Sequence, residues 1–243
     1  MSEVGKSLEQ NSLIESAVPT NALAVPSFRS LWLNSVTFYL VVNALRFVYG
    51  WVVLDGLNKS ESVQGLVVFV LGIPLLFLLL PAGVWADRLD PKKMLITTQV
   101  ALLVVMAVTA IVMGDGAGSL SLILVSALFA GIVTSLGTPV RSSLIPALLK
   151  GDLLYSGIAL NAIALTLSLV LGAVTARAFG DWFGFDGAFW WLVTLTGIGT
   201  LALLPMKSPG VAATGDKMTL REAVRVGLTF VWREPGIRSL FLL

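Results

Sequence analysis

The residues of this chain that could do chemistry are few, and one group interrupts the apolar sequence at "PAGVWADRLDPKKM", residues 81–94. Asp87, Arg88 and Lys92 stand there at the end of an apolar stretch. A carboxylate and cations at that position form ion pairs that are weak in water. The pairs become stronger when another part of the protein closes over them and lowers the local dielectric constant. A contact made in only one conformation biases the equilibrium between two conformations. The stretch therefore predicts a gate. A solvated turn whose lysines fix the membrane orientation is the alternative.

A second candidate is Arg46, which lies inside the apolar stretch "LVVNALRFVYGW". A charge at that depth of a bilayer costs at least about 2.5 kcal/mol, so we expect Arg46 to face the bundle interior or a water-filled cavity. Asn43 lies three residues earlier on the same helix face. The two side chains predict a substrate pathway to which Asn161 could contribute. A side chain that reaches outward toward Asp55, and a helix-packing role for Asn161, are the alternatives.

The composition excludes several other chemistries. The chain has no cysteine and no histidine, which removes disulfides, thiol nucleophiles, imidazole bases and the usual zinc ligands. No pair of acids lies within an apolar stretch. We therefore expect no catalytic residue, no metal, no cofactor and no nucleic-acid partner, and a membrane enzyme is the weakest of the functional hypotheses.

The elements that must position these residues are long apolar segments. Of the 243 residues, 56% are hydrophobic and only 12% are charged, against about 25% charged in soluble domains. A bilayer span needs about 20 apolar residues, and six stretches qualify: 31–54, 63–85, 94–113, 120–140, 153–179 and 182–204. The sequence predicts an all-α membrane protein, a bundle of six transmembrane helices in a lipid bilayer.

The distribution of positive charge predicts the orientation of these spans. If the N-terminus is cytoplasmic, all but three of the 16 Lys and Arg residues fall on cytoplasmic segments, as the positive-inside rule requires. We expect a multi-pass protein of the plasma (inner) membrane with a cytoplasmic N-terminus. Arg141, at the cytoplasmic end of the fourth stretch, is then a candidate partner for Asp87. Ordinary anchoring by a positive charge is the alternative for Arg141.

Two motifs carry a family resemblance. "GVWADRLDPKK" resembles the signature G-x-x-x-D-R-x-G-R-K between spans two and three of the major facilitator superfamily, with departures at positions 90 and 91. "GTPVRSSLIPALLKGDLLYSGIALNAI", residues 137–163, is similar to the exporter branch that includes multidrug, macrolide and siderophore efflux proteins. The resemblance implies a twelve-span transporter that works by alternating access, with this chain as its N-terminal half, built as a 3+3 inverted repeat.

The resemblance also implies roles for the residues at the matching positions. Gly83 permits close approach of helices, Asp87 docks against the second half, and Arg88 and Lys92 complete a charge network, with Arg141 as a candidate member. We expect no Asp or Glu to be embedded in the membrane. A coupling proton, if one is used, would be carried by Asp87, by Asp55 at an interface, or by the other half.

The organisation of the chain fits this resemblance. We divide it into a polar cytoplasmic tail (1–27), six spans (28–205), a cytoplasmic linker with an amphipathic helix (206–234), and the start of a truncated second half (235–243). "PGIRSLFL" at 235–242 matches "PSFRSLWL" at 26–33, which directly precedes the first span. Repeats between halves are common in transporters.

Two functions follow as hypotheses. The first is secondary active export of a small amphipathic or anionic molecule, such as a drug, a siderophore or a lipid-like compound. The second is a non-transporting, six-span membrane component with a regulatory or assembly role. Six further spans encoded beyond Leu243 would favour the first.

Overall fold

The computed structural model describes residues 21–116 and 118–208, without the side chains of 79–80 and 82–88. Five helices account for most of this part of the chain: α1 (Pro26–Trp51), α2 (Glu61–Arg88), α3 (Pro91–Gly114), α4 (Leu120–Leu148) and α5 (Asp152–Leu203). A short 3-10 turn, Ala22–Ala24, precedes α1, and a π turn, Val52–Gly56, follows it. Almost all of the predicted tail, most of the predicted linker and the whole predicted second-half segment lie outside the described residues.

All five helices are long and apolar enough to cross a membrane. Together they make this an all-helical, multi-pass membrane protein. The apolar stretches predicted at 63–85, 94–113 and 120–140 fall within α2, α3 and α4. The fifth and sixth predicted stretches both fall within the single element α5.

Helix α5 doubles back on itself. Its 52 residues would extend about 78 Å if straight, far more than a hydrocarbon core of about 30 Å. The backbone breaks at Gly184, where φ is 85° and ψ is −176°, a conformation that glycine adopts readily. Trp191 Nε1 then donates to Thr175 Oγ1 at 3.1 Å, so the first arm (152–183) and the second arm (185–203) run side by side. The gap between the fifth and sixth predicted stretches, residues 180–181, predicts this turn near Asp181, which is instead helical and ion-paired with Arg177 at 2.8 Å.

The other helices pack around this hairpin. Helix α1 lies along α5, α2 along α4, and α3 against both α4 and α5. Small residues permit the closest approaches, as is usual in membrane bundles. A Cβ atom at Gly172 would lie 2.8 Å from the Leu40 carbonyl oxygen of α1, and one at Gly131 would collide with the Leu71 carbonyl of α2.

Helix α4 continues beyond the predicted end of its span. Pro139 and Pro146 both lie inside it. Each proline lacks the N–H that would bond to the carbonyl four residues earlier, and such breaks in the hydrogen-bond ladder are tolerated in membrane helices. Because α4 extends to Leu148, Arg141 lies two turns inside the helix. The helix thus continues past the predicted end of the fourth stretch, and the pairing of Arg141 with Asp87 stays a prediction.

The interior consists of two apolar clusters and a polar layer between them. The larger cluster surrounds Val48, Met106 and Phe189, and the smaller one surrounds Phe28 and Leu144. Between them the buried residues are polar: Asn34, Thr37, Thr98, Gln99, Arg141 and Thr196. We call these six residues the polar layer. It draws on α1, α3, α4 and the second arm of α5.

Candidate functional site

Arg141 is the charged centre of the polar layer. Its side chain is only 1% exposed, and its guanidinium carbon lies 3.5 Å from the centroid of the Phe38 ring. Nε donates to Asn34 Oδ1 at 3.2 Å, and Nη1 donates to the Gly137 carbonyl at 2.9 Å. A planar guanidinium suits this combination of stacking and directional hydrogen bonds, which an ammonium cannot reproduce.

Asn34 connects this arginine to a further helix. Its Oδ1 accepts from Arg141, and its Nδ2 donates to the Gly199 carbonyl in the second arm of α5 at 2.9 Å. Asn34 is fully buried, and an amide can donate and accept at once. One side chain of α1 therefore joins α4 and α5.

The polar layer is not fully hydrogen-bonded. Gln99 Nε2 and Arg141 Nη2 are buried without a hydrogen-bond partner among the described residues. The threonine hydroxyls donate to carbonyls of their own helices, as Thr98 does to Leu95 and Thr196 to Leu192. Within the described part of the chain Arg141 has no carboxylate partner. Burying a charge without a counter-ion costs free energy, so favourable contacts elsewhere in the fold must offset the cost of this layer.

A second polar group lies on the opposite side of α1, toward the first arm of α5. Asn43 Nδ2 donates to Ser168 Oγ at 3.1 Å and to the Tyr39 carbonyl at 3.0 Å. Tyr39 Oη donates to Asn161 Oδ1 at 3.4 Å. These four side chains and Arg46, which follows on the same face of α1, form what we call the polar stripe. The three residues predicted for the pathway, Asn43, Arg46 and Asn161, all belong to it.

Arg46 is the exposed end of this stripe. Its side chain is exposed, and no hydrogen bond or ion pair joins it to another described residue. Asp55, its predicted alternative partner, instead accepts from Trp51 Nε1 at 2.9 Å. Arg46 therefore lies on an open face of the described bundle, with its charge available to a partner outside these helices.

The residues predicted to form a gate are only partly described. Gly83, Asp87 and Arg88 belong to the last turns of α2, and their side chains lie outside the description. Lys92 Nζ donates to the Leu204 carbonyl at 2.8 Å, so it satisfies a free carbonyl at the end of α5. Asp90 caps α3: its Oδ1 accepts from the Lys93 N–H at 3.1 Å, which lowers the pKa of the Asp90 carboxyl below its usual value.

The polar layer was missed from the sequence except for Arg141. Asn34, Thr37 and Gln99 read as isolated polar residues in apolar stretches, which are usually helix-packing residues. The available signal was their position: each lies inside an apolar span, where a polar side chain needs a partner. Periodicity could not reveal that four helices place such residues at one level.

Long apolar helices with two separate arginine sites define a helical membrane protein with a polar interior. The sequence model of the Major Facilitator Superfamily matches residues 31–243. The chain belongs to that superfamily.

One solved structure extends the comparison. The chain is similar to a peptide transporter, the E310Q mutant of POT crystallised with alafosfalin, with a TM-score of 0.67 and 16% sequence identity. The alignment covers 91% of this chain and 49% of the transporter, so the chain spans about half of that protein's length. At this identity the likeness shows the fold alone. A search of curated proteins found no match.

Proposed function

We propose that this chain is the six-span N-terminal half of a secondary transporter of the plasma membrane, with its N-terminus in the cytoplasm. Each arm of α5 then crosses the bilayer once. The whole protein exports a small amphipathic or anionic molecule, of the drug, siderophore or lipid-like class, by alternating access. The superfamily match and the exporter-like motif at residues 137–163 support the proposal.

The observation that carries it is the open position of Arg46. A guanidinium left facing lipid is costly, and intramembrane charges almost always face a bundle interior or a water-filled cavity. The described helices leave Arg46 unpaired on an outer face. A second half packed against this face would enclose Arg46 beside Asn43 and Asn161. The enclosed space would carry one fixed positive charge, which favours an anionic or zwitterionic substrate.

The gate is the second part of the proposal. We assign it to Gly83, Asp87 and Arg88 at the end of α2, with Asp87 docking against the second half in one conformation only. Lys92 is fixed to the end of α5 and orients the turn that follows the gate. Arg141 is held inside the bundle by Asn34 and Gly137, so its role is to position the end of α4 beside the gate.

Transport by the full-length protein tests the pathway. Labelled anionic, zwitterionic and cationic amphiphiles and alafosfalin would each be added outside everted vesicles, and uptake would be measured with and without a pH gradient. We expect Arg46→Gln to reduce anion uptake at least tenfold and Arg46→Lys to retain part of it. Arg29→Gln changes an exposed arginine at the start of the same helix and is the matched control.

Two results would contradict this assignment. One is anion uptake that is equal in Arg46→Gln and Arg29→Gln at matched protein levels. The other is selective uptake of cations by the unchanged protein. If the pH gradient has no effect on uptake, a coupling proton is excluded and the substrate assignment is unaffected.

Cysteine labelling tests the gate and the orientation. The chain has no cysteine, so single substitutions are read without background. Lys207→Cys and Gly116→Cys lie at opposite ends of the bundle, and we expect only the latter to react with an impermeant maleimide added outside cells. In the full-length protein, Asp87→Asn is expected to change the labelling rate of a cysteine placed in the pathway. Labelling of Lys207→Cys from outside would reverse the proposed orientation.

A further inference from the structure

A cavity of about 360 Å³ lies between the two arms of α5, at the end of the bundle where the helix doubles back. Most of its wall is aromatic. The side chains that define it are Phe179, Phe183, Asp186, Trp190, Trp191 and Thr194. We call it the hairpin cavity. It is separate from both the polar layer and the polar stripe.

The inner aromatic wall of the hairpin cavity is held in place. The rings of Phe179 and Trp191 stack with centroids 4.1 Å apart and planes within 8°. The Trp191 indole N–H is fixed by its bond to Thr175 Oγ1 at 3.1 Å. The outer wall is open, since Phe183 is 64% and Trp190 is 45% exposed. A ligand could therefore enter from the surroundings and meet preformed ring faces.

Asp186 supplies a negative charge to this cavity. It is half-buried, and no hydrogen bond or ion pair joins it to another described residue. One of its oxygens lies beside Gly184, and the other lies 3.5 Å from the position a Cβ atom would take on Gly114, where α3 ends. The carbonyls at a helix C-terminus carry partial negative charge. Asp186 and the end of α3 together favour a cation.

The chemistry of the wall selects the kind of cation. Aromatic faces attract ammonium groups, and a carboxylate accepts hydrogen bonds from the N–H bonds that a primary ammonium carries and a quaternary one lacks. A calcium or magnesium ion instead needs six or more oxygen ligands, and this cavity offers one carboxylate and one hydroxyl. The site therefore fits an organic ammonium group.

The position of the cavity selects the source of that group. Irregular backbone cannot face hydrocarbon, so the break at Gly184 lies at or beyond a membrane surface. Tryptophan and other aromatic residues concentrate at the level of the lipid headgroups. We propose that the hairpin cavity binds the ammonium headgroup of an aminophospholipid, phosphatidylethanolamine, with Asp186 as counter-ion and Trp190 and Phe183 as the ring faces. This inference does not depend on the direction or substrate of transport.

Lipid retention by the purified full-length protein tests the proposal. The protein would be titrated with phosphatidylethanolamine and with phosphatidylglycerol of the same acyl chains, and bound lipid would be counted by native mass spectrometry. We expect about a three- to tenfold preference for phosphatidylethanolamine, the range that a half-buried carboxylate and aromatic faces can supply. Asp186→Asn is expected to remove the preference, and Trp190→Leu to reduce it.

Matched variants separate this site from general effects. Asp115→Asn removes one exposed negative charge at the same end of the bundle, and Trp182→Leu removes an exposed indole outside the cavity wall. Both should retain the preference. Equal retention of the two lipids, or a preference that survives Asp186→Asn, would overturn the proposal and leave the aromatic residues as membrane anchors only. Full competition by equimolar free ethanolamine would overturn it in favour of a soluble cation.

Discussion

Arg141 and Arg46 are the same residue type in the same bundle, and the fold treats them in opposite ways. Arg141 is 1% exposed, stacked on Phe38 and bonded to Asn34 and Gly137. Arg46 is exposed and has no partner among the described residues. A fully surrounded charge is part of the structure that holds the helices together. A charge left open on a helix face can instead respond to a ligand.

The burial of the two arginines is the opposite of what their positions in the apolar stretches predict. Positive charge near the end of an apolar stretch usually marks a membrane surface, yet Arg141 is interior. An arginine near the middle of a stretch should be enclosed, yet the described helices leave Arg46 open. Neighbouring helices, rather than depth in one helix, determine which arginine is buried. Substitutions at the two arginines and in the polar layer test this distinction.

The largest expected effect comes from Arg141→Lys. Lysine keeps the charge but loses the bond from Nε to Asn34 and the stacking on Phe38. We expect a loss of about 3 kcal/mol in unfolding free energy, measured by thermal unfolding of the full-length protein in detergent. Arg46→Lys should leave the melting temperature unchanged. Equal melting temperatures for both variants would remove the structural distinction between the two arginines.

Gly199→Ala is expected to have the next largest effect. A Cβ atom there would collide with Thr37 Oγ1 and lie 2.9 Å from Gln99 Nε2. Overpacking of this kind costs about 1–3 kcal/mol. Gly72→Ala makes the same change in α2, where nothing lies within 4 Å of the new atom, and should be neutral or slightly stabilising. If Gly199→Ala were tolerated equally well, the polar layer would be more loosely packed than these distances require.

Gln99→Met is expected to stabilise the protein. Gln99 Nε2 is buried without a partner, and methionine has a similar shape without the unsatisfied donor. We expect a gain of about 1 kcal/mol. Asn34→Leu, in the same layer, should be destabilising because it leaves Arg141 Nε and the Gly199 carbonyl unpaired. A loss of stability in Gln99→Met would mean that its amide has a partner, such as a bound water, within the layer.

The smallest expected effect concerns Asp90 and pH. The Lys93 N–H lowers the pKa of the Asp90 carboxyl, so the charged cap stabilises the fold. That contribution is complete above the unfolded-state pKa and is lost as pH falls through the lowered folded-state value. Asp90→Asn should remove this pH dependence and keep the cap, whereas Asp90→Ala should lose both. Melting curves between pH 3 and 7 would detect the difference. Identical pH profiles for Asp90→Asn and the unchanged protein would contradict it.

The helical, membrane-spanning class of the protein was predictable from its sequence. Hydropathy alone located α2, α3 and α4, because a long apolar run has few alternatives to a membrane helix. The ends of helices were less predictable. Arg141 suggested an end for α4, but the polar neighbourhood of its side chain allows the helix to continue. The break in α5 lies at Gly184, a few residues after the gap between the predicted stretches, and Asp181 is helical and ion-paired with Arg177.

The candidate site was predictable only where residues lie on one helix. Asn43 and Arg46 could be assigned to one face of α1 from their spacing. The contact between Tyr39 and Asn161 depends on how α5 lies along α1, which no pattern within either segment specifies. The same is true of the polar layer, whose members come from four separate helices.

The polar layer has a mechanical consequence. Asn34 is bonded to α4 through Arg141 and to the second arm of α5 through Gly199. Sliding any of these helices by one turn, about 5.4 Å, would break directional bonds and bring apolar side chains to a charged guanidinium. The layer thus fixes the register of α1, α4 and α5 at once. We therefore expect this bundle to rotate and tilt as one body, with any bending confined to the helix ends that lie beyond the polar layer.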